Sequence, residues 1–490
     1  MKVLVVGLDC AAPEILFGDD QLVNFRRMMA AGLHGKMESV KPPITVPAWM
    51  CMSTGMDPGT LGVYGFRNRR DHSYDGLKVV DSRSITDLAI WDQVAREGNR
   101  STVIAVPPNY PPRKVNGTSV GCFLTPDSSK DVFTYPASAS DEIRSLVGSY
   151  PVDVKGFRTG NKAKLLDDIY AMSRAHFEVV RHYLKRGDWD YFQLVEIGLD
   201  RIHHGFWRYH DPLHVLHEPD SPFTHAIRDY YRYLDEELGS VLELLDEETV
   251  ILVVSDHGAT RLDGGFCVNE WLVREGLLKL NSYPEKVTPF SGLDVDWDNT
   301  VAWSEGGYYA RVFLNVQGRE PRGLIPAGDY ERVRDDVRDR LLATAGPDGT
   351  PLGTLVFKPE EIYKSIKNVA PDLIAHFGAL QWRSVGGVGY PTIHVQENDT
   401  GPDDCNHAQH GAFILAGPGV PSIGEIRGAH LLDVAPTLLE LGGYDVPQNM
   451  RQSTPFRDIA GAVAEVGAAS GYSPGGEDLV RERLSGLGYI

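Results

Sequence analysis

The chain carries a set of carboxylates, imidazoles and one hydroxyl whose positions suit metal-assisted chemistry. Val250-Ile251-Leu252-Val253-Val254 is a run of apolar, mostly β-branched residues that stops abruptly at Ser255-Asp256-His257-Gly258. Such a run reads as a fully buried strand of a parallel sheet. In open α/β sheets the ligand crevice lies beyond the carboxyl ends of the strands, so Asp256 and His257 are placed to hold zinc or manganese. The apolar run at the N-terminus ends on Asp9, and Tyr191–Val195 is followed by Glu196 and Asp200. Asp200 and His204 are spaced i, i+4 and share a face if the segment is helical; His203, at i+3, does so too. His407 and His410 lie just before an apolar run starting at Gly411. Thr45 stands between Pro43 and Pro47, which restrain the backbone and present its hydroxyl at a fixed angle. Carboxylates and imidazoles in this ratio suit two divalent cations. A threonine hydroxyl is a poor nucleophile at neutral pH, and a bound dication makes its alkoxide accessible. Two cations about 3.5–4 Å apart stabilise the attacking and leaving oxygens of a displacement at phosphorus.

The elements that must position these residues follow from hydrophobic periodicity. Residues 24–32 predict a helix stopped by Gly32, and a second helix is expected from Ala48 to Thr54, closed by Gly55. Pro47 disfavours helix before it. Leu165, Ile169, Met172, His176, Val180 and Tyr183 mark one amphipathic helix; Ile227, Tyr231, Leu234, Leu238, Val241 and Leu245 mark another. Strands are expected at 103–106, 191–195 and 250–254. This alternation predicts a doubly wound, mostly parallel α/β sheet flanked by helices. Residues 107–160 read as a loop-rich excursion, dense in Pro, Ser, Gly and Asp. From 281 to 368 short antiparallel strands and a charged helix over 330–343 indicate an inserted α+β cap subdomain. The expected organisation is thus core 1–280, cap 281–368, core again 369–460 from the strand at Asp372–Phe377 onward, and a linker with a terminal helix at 461–490.

Length and charge bound the function. At 490 residues, with 42% hydrophobic and 23% charged residues, the chain has the composition of an ordinary globular protein with ample core. A net charge of −19 argues against a nucleic-acid polymer as partner. The cationic cluster Arg67-Asn68-Arg69-Arg70 is the exception in an acidic chain. No stretch approaches a membrane span, and the N-terminal apolar run is too short for a signal peptide. Five scattered cysteines without a C-x-x-C pair fit free thiols in a reducing interior, so a cytoplasmic location is expected.

The order Asp9, Thr45-Val46-Pro47-Ala48-Trp49, Ser53-Thr54-Gly55, Asp200-x-x-x-His204, Asp256-His257-Gly258, His407 resembles the alkaline phosphatase superfamily. Within it, the chain is most similar to the type I phosphodiesterase/nucleotide pyrophosphatase branch and its phosphohydrolase/phosphomutase-like group. Asn315 to Pro321, Asp433-Val434-Ala435-Pro436-Thr437 and Leu487-Gly488-Tyr489 extend the similarity nearly end to end. The resemblance implies the roles. Asp9, Asp256 and His257 would hold one metal, with Thr45 bound to it as nucleophile; Asp200, His204 and His407 would hold the other. It also selects His204 over His203 by its spacing of four, and His407 over His410. A phospho-threonine would form on Thr45 and be hydrolysed by water at the second metal. The imidazole content favours zinc, with manganese as the alternative. Asn68 would donate to a phosphoryl oxygen; Arg67, Arg69 and Arg70 either pair with a second substrate phosphate or form a solvated charge run. Thr45 stands where sulfatases carry a modified cysteine, which argues against sulfate esters.

The expected activity is hydrolysis of a phosphodiester or pyrophosphate bond in a small nucleotide-type molecule. A phosphomonoesterase or phosphomutase on a small metabolite is the near alternative, and a non-catalytic phosphate-ester binding protein is the distant one. Oligomeric state is not legible.

Overall fold

A computed structural model describes residues 1–396 and 400–450. The expected linker and terminal helix at 461–490, like the end of the core beyond 450, lie outside the described residues. The large sheet comprises β1 (Lys2–Leu8), β2 (Leu33–Glu38), β3 (Ser101–Ile104), β4 (Gly117–Val120), β5 (Thr134–Tyr135), β6 (Tyr191–Glu196), β7 (Thr249–Val254), β8 (His410–Ala416), β9 (Gly424–Glu425) and β10 (Ala429–His430). Their order is β9-β2-β8-β7-β1-β6-β3-β4-β5, with β10 also on β2. The five central strands β7, β1, β6, β3 and β4 run parallel. β8 is antiparallel to both β7 and β2, and β5 is antiparallel to β4. The architecture is the mostly parallel, helix-flanked α/β sheet expected.

Strand alternation divides the core in two. Leu4, Val6, Leu8, Phe192, Leu194 and Val253 face one layer with helices α3 (Lys162–Arg186), α4 (Gly198–His210) and α5 (Ala226–Leu242). Val3, Val5, Tyr191, Val195, Leu252 and Val254 face the other, packed on α2 (Thr45–Thr54) and α6 (Val434–Gly442). Helix α1 (Val23–Ala31) completes the first layer.

Three expectations are corrected. Helix α2 begins at Thr45, not after Pro47: proline in the first turn loses only an N–H that has no intrahelical partner, so the helix tolerates it. The excursion at 107–160 is not merely loop. It supplies β4, β5 and a helix at Ala139–Val147, because short strands at a sheet edge need few apolar residues. The run Asp372–Phe377 does not rejoin the large sheet. Its strand Leu373–His376 pairs antiparallel with Ala310–Leu314 and Leu355–Phe357 in a four-stranded sheet whose other edge is Ala302–Glu305. A buried apolar run does not encode which sheet it joins.

Close approach at Gly7 seats α2 on the sheet. A Cβ there would meet Trp49 Cη2 at 2.6 Å and the Leu194 carbonyl oxygen at 2.8 Å. With no side chain in the way, the indole of Trp49 lies across β1 and its Nε1 donates to Asp9 Oδ2 at 2.7 Å. Gly7→Ala is therefore expected to destabilise the fold by about 1–3 kcal/mol, as overpacking does. The readout is the denaturation midpoint; an unchanged midpoint would contradict this packing.

Candidate active site at the carboxyl ends of the central strands

Asp9 follows β1, Asp256 and His257 follow β7, and Asp200 and His204 sit on the first two turns of α4, which follows β6. Three neighbouring parallel strands therefore deliver their polar termini to one crevice. His407 arrives from the strand Cys405–Ala408, which pairs antiparallel with Gly258–Arg261 and stands opposite Ala259. Thr45 opens α2. None of these seven residues is more than 3% exposed. The structure brings them together in two groups with ligand atoms within 4.8 Å of one another: Asp9, Asp256 and His257, and Asp200, His204 and His407. Thr45 Oγ1 lies 3.3 Å from His257 Nε2.

Each carboxylate has one oxygen fixed by a protein donor and one without a partner. Asp9 Oδ2 accepts from Trp49 Nε1, Asp256 Oδ1 from the Cys10 backbone N–H at 3.3 Å, and Asp200 Oδ2 from Arg201 Nη1. Asp9 Oδ1, Asp256 Oδ2 and Asp200 Oδ1 accept nothing. Those oxygens face imidazole nitrogens: Asp256 Oδ2 is 3.2 Å and Asp9 Oδ1 3.7 Å from His257 Nε2, and Asp200 Oδ1 is 3.3 Å from His204 Nε2 and 3.8 Å from His407 Nε2.

The imidazoles are oriented in the complementary way. His204 Nδ1 is 2.6 Å from Asp403 Oδ1, His257 Nδ1 3.1 Å from the Gly258 carbonyl, and His407 Nδ1 3.1 Å from the Pro43 carbonyl. At His257 and His407 the carbonyl oxygen at Nδ1 puts the proton there and leaves Nε2 as the acceptor, which is the arrangement of metal-bound histidine. His257 and His407 stack at 4.0 Å between ring centroids.

Electrostatics follow from crowding. Burial, then the charge of Asp200, pushes Asp9 well above the usual carboxylate range. Burial and then Asp9 push Asp256 up as well. Burial acts the same way on Asp200, but His204 and Arg201 outweigh it and hold that carboxyl well below its ordinary value. Burial lowers His257 to about 4, and burial and then His257 lower His407, so both rings are neutral at pH 7. Unpartnered carboxylate oxygens and neutral Nε2 acceptors form a donor set that fits two divalent cations.

His203 points elsewhere, packing against Trp207 and Tyr231, and His410 is exposed at the start of β8. The amide of Asn68 does not reach toward a phosphoryl group. Its Oδ1 accepts from the Tyr64 N–H at 2.8 Å and its Nδ2 donates to the Gly65 carbonyl at 3.0 Å, closing its own turn. Arg67 is exposed and lines a small cavity with Ile44, Tyr308 and three further arginines. Nothing in the residue pattern marks Asp403 or Trp49 as anchors of the cluster, since both contacts are tertiary, and Arg201, next to Asp200 in sequence, was overlooked. Tyr308, reaching from the smaller sheet to stack on His407 at 4.5 Å, was equally hidden.

Metal-type triads at the ends of parallel strands, with a threonine opening a helix between them, define a phosphoester hydrolase of the alkaline phosphatase superfamily. The chain matches the type I phosphodiesterase/nucleotide pyrophosphatase family over residues 3–412 and belongs to that family. Its fold is similar to murine ectonucleotide pyrophosphatase/phosphodiesterase 5 (16% identity, 94% of this chain and 99% of that chain, TM-score 0.55). An inactive variant of the murine protein, solved in complex with AMP, matches equally. Phosphonoacetate hydrolase from Sinorhizobium meliloti 1021, in complex with phosphonoformate, matches at 15% identity over 90% of this chain and 95% of that one, with TM-score 0.58. No curated relative matches the chain in sequence.

Asp403 is the support whose removal leaves every candidate ligand in place. Asp403→Ala is expected to weaken zinc affinity about 10–100-fold, as loss of a carboxylate behind a metal-bound imidazole does. Competition with a graded chelator measures it; wild-type affinity would refute the assignment.

Proposed function

We propose that this chain is a two-metal phosphohydrolase that cleaves phosphodiester or pyrophosphate bonds of small, nucleotide-type molecules through a phospho-threonine. The observation that carries the reading is the set of three buried carboxylate oxygens unmatched by other donors, each facing an imidazole Nε2, with the Thr45 hydroxyl beside that of His257. Two divalent cations, zinc by the imidazole content or else manganese, would be held by Asp9, Asp256, His257 and Thr45 and by Asp200, His204 and His407, supplying Lewis acidity that lowers the hydroxyl pKa and neutralises phosphoryl charge.

The remaining steps belong to the chain's own residues. Thr45 is the first residue of a ten-residue helix, so the backbone N–H groups and positive dipole end of α2 face a phosphoryl group arriving at its hydroxyl. Oγ1 attacks phosphorus; the Thr45 O–P bond forms as the ester or anhydride O–P bond breaks, and the leaving group departs with its oxygen. Water then cleaves the phospho-threonine and restores the hydroxyl. AMP bound to the murine relative supports a nucleotide-type substrate. Five buried free thiols support a cytoplasmic setting, and among the described residues no helix is long and apolar enough to cross a membrane.

Thr45→Ala is expected to lower kcat on bis(4-nitrophenyl) phosphate by at least about 10³-fold, the scale of losing a covalent nucleophile, with metal content unchanged. Residual activity within tenfold of wild type would remove threonine from the chemistry. Chelation is expected to abolish turnover and zinc or manganese to restore it; activity that survives complete metal removal would overturn the two-metal reading. Faster turnover of 4-nitrophenyl phosphate than of the diester would shift the assignment to a monoesterase.

A further inference from the structure

Residues 151–158 form an irregular segment between the helix Ala139–Val147 and α3, inside the stretch whose composition reads as loop. One end is anchored to the core: the Pro151 carbonyl accepts from His176 Nε2 on α3 at 2.7 Å, and Val154 is buried. Three side chains of the segment then turn toward Asp200 and His204. Asp153 grips Arg201 by two arms of its guanidinium, Nε donating to Oδ1 and Nη2 to Oδ2, each at 2.8 Å. The remaining arm, Nη1, donates to Asp200 Oδ2. The Phe157 ring lies 4.7 Å from the guanidiniums of both Arg201 and Arg158 and 6.0 Å from the His204 ring. Arg158 donates from Nε to Asp403 Oδ2 at 3.1 Å and from Nη2 to the Tyr308 hydroxyl at 2.7 Å, and Asp403 Oδ1 meets His204 Nδ1 at 2.6 Å.

Two of the three candidate ligands in one group are thus braced from a single short stretch. The other group is braced from elsewhere: Asp9 by Trp49 on α2, Asp256 by the Cys10 N–H, and His257 by the Gly258 carbonyl. The paired arms of Arg201 matter for what they prevent. A guanidinium is a flat fork that matches a carboxylate edge to edge and takes both of its oxygens when it is free to do so. Arg201 is buried and adjoins Asp200 in sequence. Committed to Asp153, it reaches Asp200 through Nη1 at Oδ2, and Oδ1 is left facing His204 Nε2 at 3.3 Å. Released from Asp153, the fork is free to clasp both oxygens of Asp200 and to occupy the one a cation would need.

Resting on the two-metal reading above, we infer that Asp153 and Arg158 are positioning residues for the cation assigned to Asp200, His204 and His407, and that segment 151–158 sets the affinity for this cation independently of the one assigned to Asp9, Asp256 and His257. Asp153 acts through Arg201 on Asp200, and Arg158 acts through Asp403 on His204. The Asp153 side chain is 25% exposed, so the segment links the molecular surface to a fully buried ligand group.

The test is a calorimetric zinc titration of the full-length, metal-stripped protein, with stoichiometry read by native mass spectrometry. Wild type is expected to bind two zinc ions. Asp153→Asn, nearly isosteric, is expected to weaken one of them about tenfold, the scale of losing a support behind a ligand, and to leave the other unchanged. Arg158→Gln, acting by the separate route through Asp403, is expected to weaken the same ion. Two backgrounds then assign the loss to a group. In His407→Ala, which disables the group of Asp200 and His204, adding Asp153→Asn is expected to leave the remaining affinity unaltered. In His257→Ala, which disables the other group, the tenfold loss is expected to persist. A loss of equal size in both backgrounds marks a general loosening of the fold and overturns the inference, as do wild-type affinities for both ions in either single variant. Two zinc ions in wild type with no effect of the variants leaves the two-metal reading and removes the strap; fewer than two in wild type removes both.

Discussion

Three carboxylates shut away from water, each with an oxygen that no protein donor satisfies, impose the demand that the rest of this molecule answers. Like charges at such distances repel, and burial disfavours every ionised form. A fold selected only for stability would pair these oxygens or replace them with apolar side chains. Here the donors Trp49, the Cys10 N–H and Arg201 each occupy just one oxygen of a carboxylate and fix its rotation. Gly258, Pro43 and Asp403 do the corresponding work for the imidazoles. The unsatisfied atoms thereby point inward together, so little reorganisation is needed when positive charge enters.

What could be read from the residues alone follows the same physics. β1, β6 and β7 were legible because buried parallel strands are unbroken apolar runs, and a carboxylate at the end of such a run is conspicuous. The long helices α3 and α5 announced themselves by their stripes. The small-sheet strand Leu373–His376 was placed in the wrong sheet, since pairing partners are chosen by topology rather than by composition. β4 and β5 passed for loop because one is half polar and the other only two residues long. Of the site, the candidate ligands were visible as residue types near the ends of apolar runs. Their supports were not: Asp403 lies 199 positions from His204, and nothing local marks the pair. Asn68 and Arg67 adjoin in sequence yet part company in space, one closing a turn and the other edging a cavity.

The smaller sheets do more than cover the crevice. Tyr308 lies in the loop between Ala302–Glu305 and Ala310–Leu314, and its backbone carbonyl accepts from Asn406 Nδ2 at 3.0 Å. The two halves of the molecule thus meet at the residue preceding His407. Further contacts of the same kind, from Tyr308 to Asp403, Tyr309 to the Tyr64 carbonyl and Tyr363 to the Lys41 carbonyl, join the smaller sheets to the residues around Thr45.

The strand Cys405–Ala408 has one more implication, for the order of assembly. A chain leaves the ribosome amino end first, so Asp9 waits through almost four hundred further residues before His407 exists. Until then the crevice holds one ligand triad complete and the other missing a member. Completion of the second group therefore waits on His407, which brings a late-made strand back onto the helix Gly198–His210.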